Sequence, residues 1–288
     1  MSRARTDDER DGAQMANERD GAQMANEVNG ARTGAATQPS PARTVGRRVA
    51  AQARFETVAV LRNGEQLLLT LILPVIALVV LVRVDAAPLP GADRTPAALA
   101  GVLSLAVAST AFTSQAIAVA FDRRWGVLRM LATTPLGPRG LLAGKFGAVV
   151  AVLVVQTVTL VAVAAGLGWR GHGAGPGVAL GAGVLMLLGA AAFVALAMLV
   201  GGTLRPEAVL AVANLLWVLM AAVGGLLLPL SSLPGPLAAV VFLLPSGALG
   251  EGMRALATTG SLNLAAVAVL AVWAAGGAWL AARFFRWD

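Results

Sequence analysis

The chain has 288 residues, of which 57% are hydrophobic and only 13% charged, and its formal net charge is +7. A soluble domain carries about 25% charged residues, so this composition excludes one and indicates a membrane protein. The positive charge does not indicate a nucleic-acid binder, because aromatic residues make up only 5% and no basic patch contains interleaved aromatics.

Residues 1–46 are a polar tail that contains the nonapeptide ERDGAQMAN twice in tandem, at 9–17 and 18–26. Such a composition cannot bury a core, so we predict that this tail is disordered. It also lacks the apolar stretch of a cleavable signal peptide, and the first span is therefore expected to act as the insertion signal.

Six apolar segments follow, each close to the roughly 20 residues with which a helix crosses a bilayer. They lie at 67–82, 97–120, 146–168, 178–200, 208–228 and 262–282. Because loops and open sheet edges cannot face lipid, we predict an all-α protein of six transmembrane helices, with a local kink at Pro74.

The basic residues predict the orientation of these spans. With the N-terminus in the cytoplasm, eighteen of the twenty-two basic residues lie on the cytoplasmic side, and only Arg83, Arg94, Arg170 and Arg254 lie outside. The ratio of twenty-one arginines to one lysine is typical of a GC-rich bacterial genome. We therefore expect a multi-pass protein of a bacterial cytoplasmic membrane, with both termini cytoplasmic.

Residues 229–260 are apolar but are interrupted by Pro229, Pro234, Pro236 and Pro245. The uninterrupted piece is too short to cross, which favours one or two short re-entrant helices on the outer side. An ordinary surface loop is the alternative.

Between the second and third spans lies a charged segment, "FDRRWGVLRMLATTPL", at 121–136. Phe121, Trp125, Leu128 and Ala132 fall on one stripe at helical spacing, and Asp122 would favour a helix N-terminus. The pattern predicts an amphipathic helix at 121–135 on the cytoplasmic side. From this pattern alone, a surface helix that anchors the protein at the lipid headgroups is equally compatible.

The stretch "FDRRWGVLRMLATTPLGPRGLLAGK" resembles the cytoplasmic segment of type-2 ATP-binding-cassette (ABC) exporter permeases, and drug exporters of the daunorubicin-resistance type are the nearest subgroup. "RFETVAVLRNGEQLLLTLILPVIALVVL" is similar to the N-terminal interfacial helix and first span of that family, and "LLPSGALGEGMRAL" to its outer segment before the last span. The family commonly has an acidic residue, often glutamate, where Asp122 stands.

This resemblance implies a coupling helix that docks in a cleft of a separate ATPase subunit. The residues that it assigns to coupling are Asp122, Arg123, Arg124, Trp125, Gly126, Val127, Leu128, Arg129 and Met130. It also implies an interfacial helix at 47–66, with Arg54, Phe55, Glu56, Arg62 and Asn63. From the residues alone the amphipathicity of that helix is moderate, because Arg54 and Arg62 lie beside the ridge of Phe55, Val58 and Leu61 and would have to snorkel.

The sequence contains no motif for nucleotide binding or ion coupling that could supply energy for transport. "RGLLAGKF" has Arg139 and Phe146 where a phosphate-binding loop needs Gly and Ser or Thr, so Lys145 is interpreted as an interface anchor. None of the six predicted spans contains an ionisable residue, which disfavours proton coupling. The single histidine, His172, lies in an outer loop and is expected to be solvated. We expect no enzyme activity and no metal site in this chain, and no cysteine is present to ligate one.

Polar residues in the second and fifth spans are candidates for a substrate pathway: Thr110, Thr113, Ser114, Gln115, Asn214 and Trp217. Small and hydroxyl residues more often join transmembrane helices to one another, so helix packing is the favoured interpretation of this set. In the family the second and fifth spans line the dimer interface and the pathway. Arg205 and Glu207, in the turn between the fourth and fifth spans, are candidates for a second, smaller contact with the ATPase.

The sequence thus predicts the membrane subunit of a bacterial exporter of drug-like, antibiotic or lipid-like amphipathic molecules. The resemblance implies two ATPase copies that bind ATP and magnesium, and a second permease chain in a homodimer. Membrane lipid is an expected partner and nucleic acid is not. The alternative from another class is an ion-gradient-driven secondary transporter or channel, since sodium bound by backbone carbonyls would need no carboxylate.

Overall fold

The computed structural model describes residues 41–62, 64, 68–84, 89, 94–132, 137–169 and 175–284. The chain divides into two compact units, Met1–Thr44 and Val45–Asp288, and only residues 41–44 of the first unit are described. Within these ranges every regular element is helical and no strand occurs, which confirms the all-α prediction for this part of the chain.

Eleven helices are described in chain order. They are α1 (Pro41–Arg62), α2 (Leu73–Arg83), α3 (Thr95–Ala108), α4 (Gln115–Arg124), α5 (Val127–Ala132), α6 (Gly137–Gly166), α7 (Pro176–Thr203), α8 (Pro206–Ala222), α9 (Gly235–Phe242), α10 (Pro245–Thr259) and α11 (Leu264–Phe284). A π-helical turn at Leu68–Ile72 precedes α2, another at Ser109–Ser114 joins α3 to α4, and a 3-10 turn occupies Leu230–Ser232.

Four of the described helices are long and apolar enough to cross a membrane. They are Thr95–Arg124, which comprises α3, the π-helical turn and α4, together with Leu142–Gly166, Pro176–Thr203 and Leu264–Phe284. They lie at the predicted positions of the second, third, fourth and sixth spans. Since a bilayer core is about 30 Å thick, the 30-residue helix Thr95–Arg124 is long enough to extend beyond it at one end.

Helix α3 is the centre of the bundle and is buried almost throughout. It packs against α2, α6, α7 and α10. Its many small residues make this possible, because helices approach more closely where side chains are short. At Gly101 a Cβ would lie 2.9 Å from the carbonyl oxygen of Leu226, so the backbone of the loop after α8 (Pro206–Ala222) fits directly against α3.

The predicted first and fifth spans are shorter than expected. Residues 70–83 and the 17-residue helix α8 are apolar but fall below the usual spanning length. Pro74 stands in the first turn of α2, where its missing N–H is tolerated, and a π-helical turn at Leu68–Ile72 directly precedes that helix. Helix α8 ends at Ala222 and not at 228, because Gly225 adopts φ +79° and turns the chain back into the protein. The complete six-span arrangement stays a prediction.

The proline-rich segment after α8 forms a sharp corner. Helices α9 and α10 meet at 98°, with Pro245 in the first turn of α10. The prolines therefore break this segment as the sequence indicated. The re-entrant position of the corner in a membrane remains a prediction.

Helix α1 begins at Pro41, within the predicted polar tail, and ends at Arg62. Asn63, the last residue of the candidate interfacial set, lies outside the described residues.

Candidate functional site

The charged segment forms an elbow, residues 121–132, at one end of the bundle. The sequence predicted one continuous helix here, and this prediction is wrong because α4 ends at Arg124 and α5 starts at Val127. Gly126 makes the break, with φ +72° and its amide donating to the carbonyl of Arg123 at 3.1 Å. A left-handed residue of this kind ends helices and strongly favours glycine.

The elbow presents two large apolar side chains to its surroundings. Trp125 is 70% exposed and Met130 63% exposed, whereas Leu128 between them is buried and anchors α5. The ring of Trp125 packs against Phe121 with centroids 5.3 Å apart, which restricts its orientation. Exposed, ordered aromatic and methionine side chains are typical of protein-binding surfaces. Arg129 lies in α5, but its side chain is outside the described part of the structure.

Lys145 connects the elbow to two other helices. Its Nζ lies 3.1 Å from Asp122 Oδ2 on α4 and 3.4 Å from Glu56 Oε1 on α1, and the lysine residue is only 5% exposed. We call Glu56, Lys145 and Asp122 the charge cluster. A buried ammonium is stable only when it is paired, and here two carboxylates share that role. Asp122 therefore does not begin a helix, as the sequence suggested, but lies near the C-terminal end of α4 and pairs with a distant lysine.

Helix α1 contacts the bundle through its polar side. Glu56 accepts a hydrogen bond from Gln52 at 2.9 Å, and Gln52 lies against Gly144, where a Cβ would come within 2.6 Å of its side chain. The apolar ridge points the other way, since Phe55 is 71% exposed and Val58 is also exposed. This arrangement suits a helix that lies at the membrane surface with its apolar side in lipid. Arg54 and Arg62 are both exposed.

The turn between α7 and α8 also touches the elbow. Arg123 Nη2 donates to the carbonyl of Leu204 at 2.5 Å, and the guanidinium of Arg124 forms an ion pair with Glu207. Glu207 lies in the first turn of α8, before the predicted fifth span. The pKa of its carboxyl is lowered by a backbone hydrogen bond and by Arg124, so the charged form is favoured. Elbow and turn thus form one surface.

The candidate pathway residues are partly engaged with one another. Thr110 donates to Gln156 Oε1 on α6 at 3.1 Å, and Gln156 in turn donates to the carbonyl of Thr70 at 2.5 Å. Trp217 on α8 donates to Ser109 at 2.6 Å. These bonds join α3–α4, α6, α8 and the first apolar helix, which is the packing role that the sequence favoured.

The remaining residues of that set differ in their surroundings. Gln115 is buried and Thr113 partly buried, and neither Gln115 Oε1 nor Thr113 Oγ1 has a hydrogen-bond partner among the described residues. Ser114 is half-buried, and Asn214 lies on the exposed side of α8.

Two buried polar residues were missed by sequence reasoning. Gln156 lies inside the third span and was not singled out, although a lone glutamine in an apolar run signals a need for partners. Arg254 was assigned to the outer side, but it is 2% exposed and holds the carbonyls of Leu226 and Gly225 at 2.9 and 2.5 Å. Glu251 pairs with the same guanidinium at 3.3 Å, and the Nε of Arg254 has no partner among the described residues. The acceptors are backbone atoms of another segment, which no sequence pattern identifies.

The described residues contain no group of three or more His, Asp or Glu side chains that could hold a metal ion. His172 lies outside those residues. What the geometry offers is therefore mechanical: an exposed elbow, fixed by ion pairs to α1, α6 and α8, at the end of a long central span. A force applied to Trp125 would reach three further helices at once.

Comparison with known proteins agrees with this architecture. No curated protein matches the chain. A model of the ABC-2 family transporter proteins matches residues 91–283, which is more than half of the sequence and includes the elbow, the central span and the α9–α10 corner. The chain therefore belongs to the ABC-2 family of transporter proteins.

Proposed function

We propose that this chain is the membrane-spanning permease subunit of a bacterial ABC exporter that moves drug-like, antibiotic or lipid-like amphipathic molecules out of the cell. Membership of the ABC-2 family supports the coarser part of this proposal, a multi-pass transporter subunit that works with an ATP-binding partner. Under this proposal the chain is not itself an enzyme. The partner ATPase, in two copies, binds ATP and magnesium, and two permease chains form a homodimer in the cytoplasmic membrane.

The elbow is the observation on which the proposal depends. Trp125 and Met130 are exposed on a six-residue helix and its preceding turn, too short to be stable without tertiary support. Leu128 provides that support because its side chain is buried in the bundle, and the charge cluster provides it through the ion pair of Asp122 with Lys145. Such an element is suited to enter a cleft on another protein without rearranging.

The same contacts give the docked partner a way to move the membrane helices. Asp122 links the elbow to α6 and α1 through Lys145, and Arg124 links it to α8 through Glu207. Displacement of the elbow by closing ATPase subunits would therefore shift four helices as one body. This is the rigid-body transmission that ATP-driven alternating access requires.

Truncation of Trp125 tests the proposal. In the complex purified with its ATPase, Trp125→Ala should weaken docking by about 2 kcal/mol, which is roughly 30-fold in affinity. Vanadate-sensitive ATP hydrolysis stimulated by candidate amphipathic solutes should fall with it. Trp279→Ala is the matched control, because Trp279 is similarly exposed (67%) but lies on α11, and it should leave both measurements unchanged.

Two results would overturn the proposal. One is ATP hydrolysis by the purified chain alone, and the other is solute movement in vesicles that contain only this chain. The second result would favour the ion-gradient-driven transporter or channel.

A further inference from the structure

A cavity of about 580 Å³ lies between the central span, α6, α7 and α10, away from the elbow. Twenty residues line it, and only Thr157 and Trp169 among them carry a polar side-chain group. We call this cavity the slot. Neither the elbow nor the charge cluster contributes to it, so transport coupling gives no account of it.

On each of its two long helices the slot lining covers about the thickness of one lipid leaflet. Along α6 its lining runs from Val150 to Val161, and eleven residues of helix correspond to about 16 Å. Along α7 it runs from Val178 to Leu187, or about 14 Å. Half of a hydrocarbon core of about 30 Å is about 15 Å. Helix α7 begins at the end of the bundle away from the elbow, so residues 178–187 belong to the leaflet on the opposite side, and residues 150–161 lie around the middle of the span Leu142–Gly166.

The slot opens sideways, toward the surrounding membrane. Its floor consists of buried side chains such as Leu103, Leu153 and Leu256. Its rim consists of side chains that are about half exposed, among them Val154, Val158 and Leu187. Because this rim lies on apolar transmembrane helices, the solvent that reaches it is lipid.

The two polar groups are arranged differently. Thr157 in the middle of the slot donates to Met186 Sδ at 3.9 Å. Trp169 lies three residues beyond α6, at the far end, and its buried Nε1 has no acceptor among the described residues. Water needs two to four polar partners, so water does not fill a cavity lined in this way. An apolar chain with one hydrogen-bond acceptor at its end matches both features.

We propose that the slot holds one acyl chain of a membrane phospholipid from the leaflet opposite the elbow. The ester carbonyl of that lipid accepts the indole hydrogen of Trp169, since ester groups and tryptophan side chains both lie at the membrane interface. The inference concerns a lipid site in this chain alone and does not depend on the proposed export function.

Photolabelling in vesicles tests the proposal on the full chain, without ATP or an ATPase. The vesicles consist of dioleoylphosphatidylcholine with a trace of a phosphatidylcholine that carries a diazirine in the middle of one acyl chain. Peptide mapping by mass spectrometry should find adducts concentrated on residues 150–161 and 178–187. Labelling of the exposed face of α11, around Val272 and Trp279, gives the level expected for ordinary contact with lipid.

Gly183→Leu should abolish the excess labelling. Gly183 lines the slot, and a Cβ there meets nothing within 4 Å, so we expect the new side chain to occupy the space of the slot. Gly276→Leu adds the same side chain at an equally open glycine on α11 and should change nothing. Ala179→Phe, at the exposed mouth of the slot, is a second blocking variant if Gly183→Leu does not fold.

Trp169→Phe separates the hydrogen bond from the apolar contact. It should lower slot labelling about threefold with the ester lipid, the usual worth of one hydrogen bond in a membrane, and should have no effect with a diether analogue. The proposal is overturned if slot labelling does not exceed that of α11, or if Gly183→Leu and Ala179→Phe leave it unchanged. Cross-linking of Val158→Cys between two copies would also overturn it, because a second chain would then occupy the slot.

Discussion

Lys145 is the only lysine in the chain, and it lies where α1, α4 and α6 meet. Its position explains why a single cation serves two carboxylates, since Glu56 and Asp122 would repel each other without it. A buried charge also favours the packing seen here, because both carboxylates reach Lys145 only where the three helices meet. The sequence identified each member of this cluster as charged but could not pair them, because they are separated by 23 residues or more.

Replacement of Lys145 by methionine should leave Asp122 and Glu56 without their shared partner. We expect the free energy of unfolding to fall by about 2 kcal/mol, measured by thermal or denaturant melting in detergent. Lys145→Arg keeps the charge and should retain most of that stability. Arg83→Met, at the exposed end of α2, is the control for loss of a cation. Unchanged melting of the Lys145→Met protein would contradict the role given to the cluster.

Arg254 is the second buried cation, and its two terminal nitrogens each donate to a backbone carbonyl, whereas its Nε has no partner among the described residues. The acceptors are two successive carbonyls, those of Gly225 and Leu226, and a lysine offers a single nitrogen in place of the rigid fork that holds them. Arg254→Lys should therefore loosen the loop after α8. With Leu226→Cys as a reporter at a fully buried position, maleimide labelling should become about tenfold faster. Arg205→Lys in the same reporter background should not accelerate it, and equal rates would show that the loop does not depend on Arg254.

At the scale of elements, the glycine turns decide where helices end. Gly126 and Gly260 both adopt φ near +70° and end α4 and α10, and a Cβ on either meets nothing within 4 Å. An amphipathic stripe predicts the residues that share a face but not a turn within it. The stripe from Phe121 to Ala132 continues through Gly126 without a change of spacing, and for that reason the sequence predicted one helix where the structure has two.

The two glycines allow a matched experiment on the elbow. Gly126→Ala and Gly260→Ala should each reduce stability by about 1 kcal/mol, because both place an L side chain in the left-handed region. Only Gly126→Ala should also reduce solute-stimulated ATP hydrolysis by the complex, since it favours a straight helix in place of the elbow. The comparison of melting temperature with hydrolysis rate for the pair checks this. Equal losses of hydrolysis in both variants would mean that the elbow angle is irrelevant.

The positions of the long spans could be predicted from composition alone. The long spans were located because an apolar run of that length admits one structure in lipid, and helix bounds shifted by only a few residues for α7 and α11. The shortened α8 and the 98° corner depend on the contact of Arg254 with the loop and on proline positions in combination. The contact of Arg254 with the loop is a tertiary contact, and the sequence could not predict it.

At the scale of the whole molecule, the unit Val45–Asp288 has one central span and several peripheral ones. Helix α3 is buried within its own chain, so this half of the second span does not line an interface between copies. Helix α8 instead leaves one apolar side uncovered, with Leu215, Val218 and Leu219 about half exposed. Since the family resemblance also implies a dimer contact at the fifth span, we expect the contact of the proposed homodimer on α8.

Cysteine cross-linking checks the dimer. Because the sequence contains no cysteine, only the introduced cysteine can form a disulfide. Leu215→Cys in native membranes should form a disulfide-linked dimer on mild oxidation. Val272→Cys, which is comparably exposed on α11, should remain monomeric. Cross-linking of the α11 variant but not of the α8 variant would place the second copy against α11 and contradict the contact on α8.

The corner of α9 and α10 limits which motions are available to this protein. A Cβ on Gly250 would lie 1.9 Å from the oxygen of Gly225, and one on Gly247 would lie 2.0 Å from that of Val241. Backbone rests on backbone at both places, so neither position has room for a methyl group. We expect the corner to move with the central span as one rigid body. Deformation is then confined to the side where the slot separates α6 and α7 from the central span.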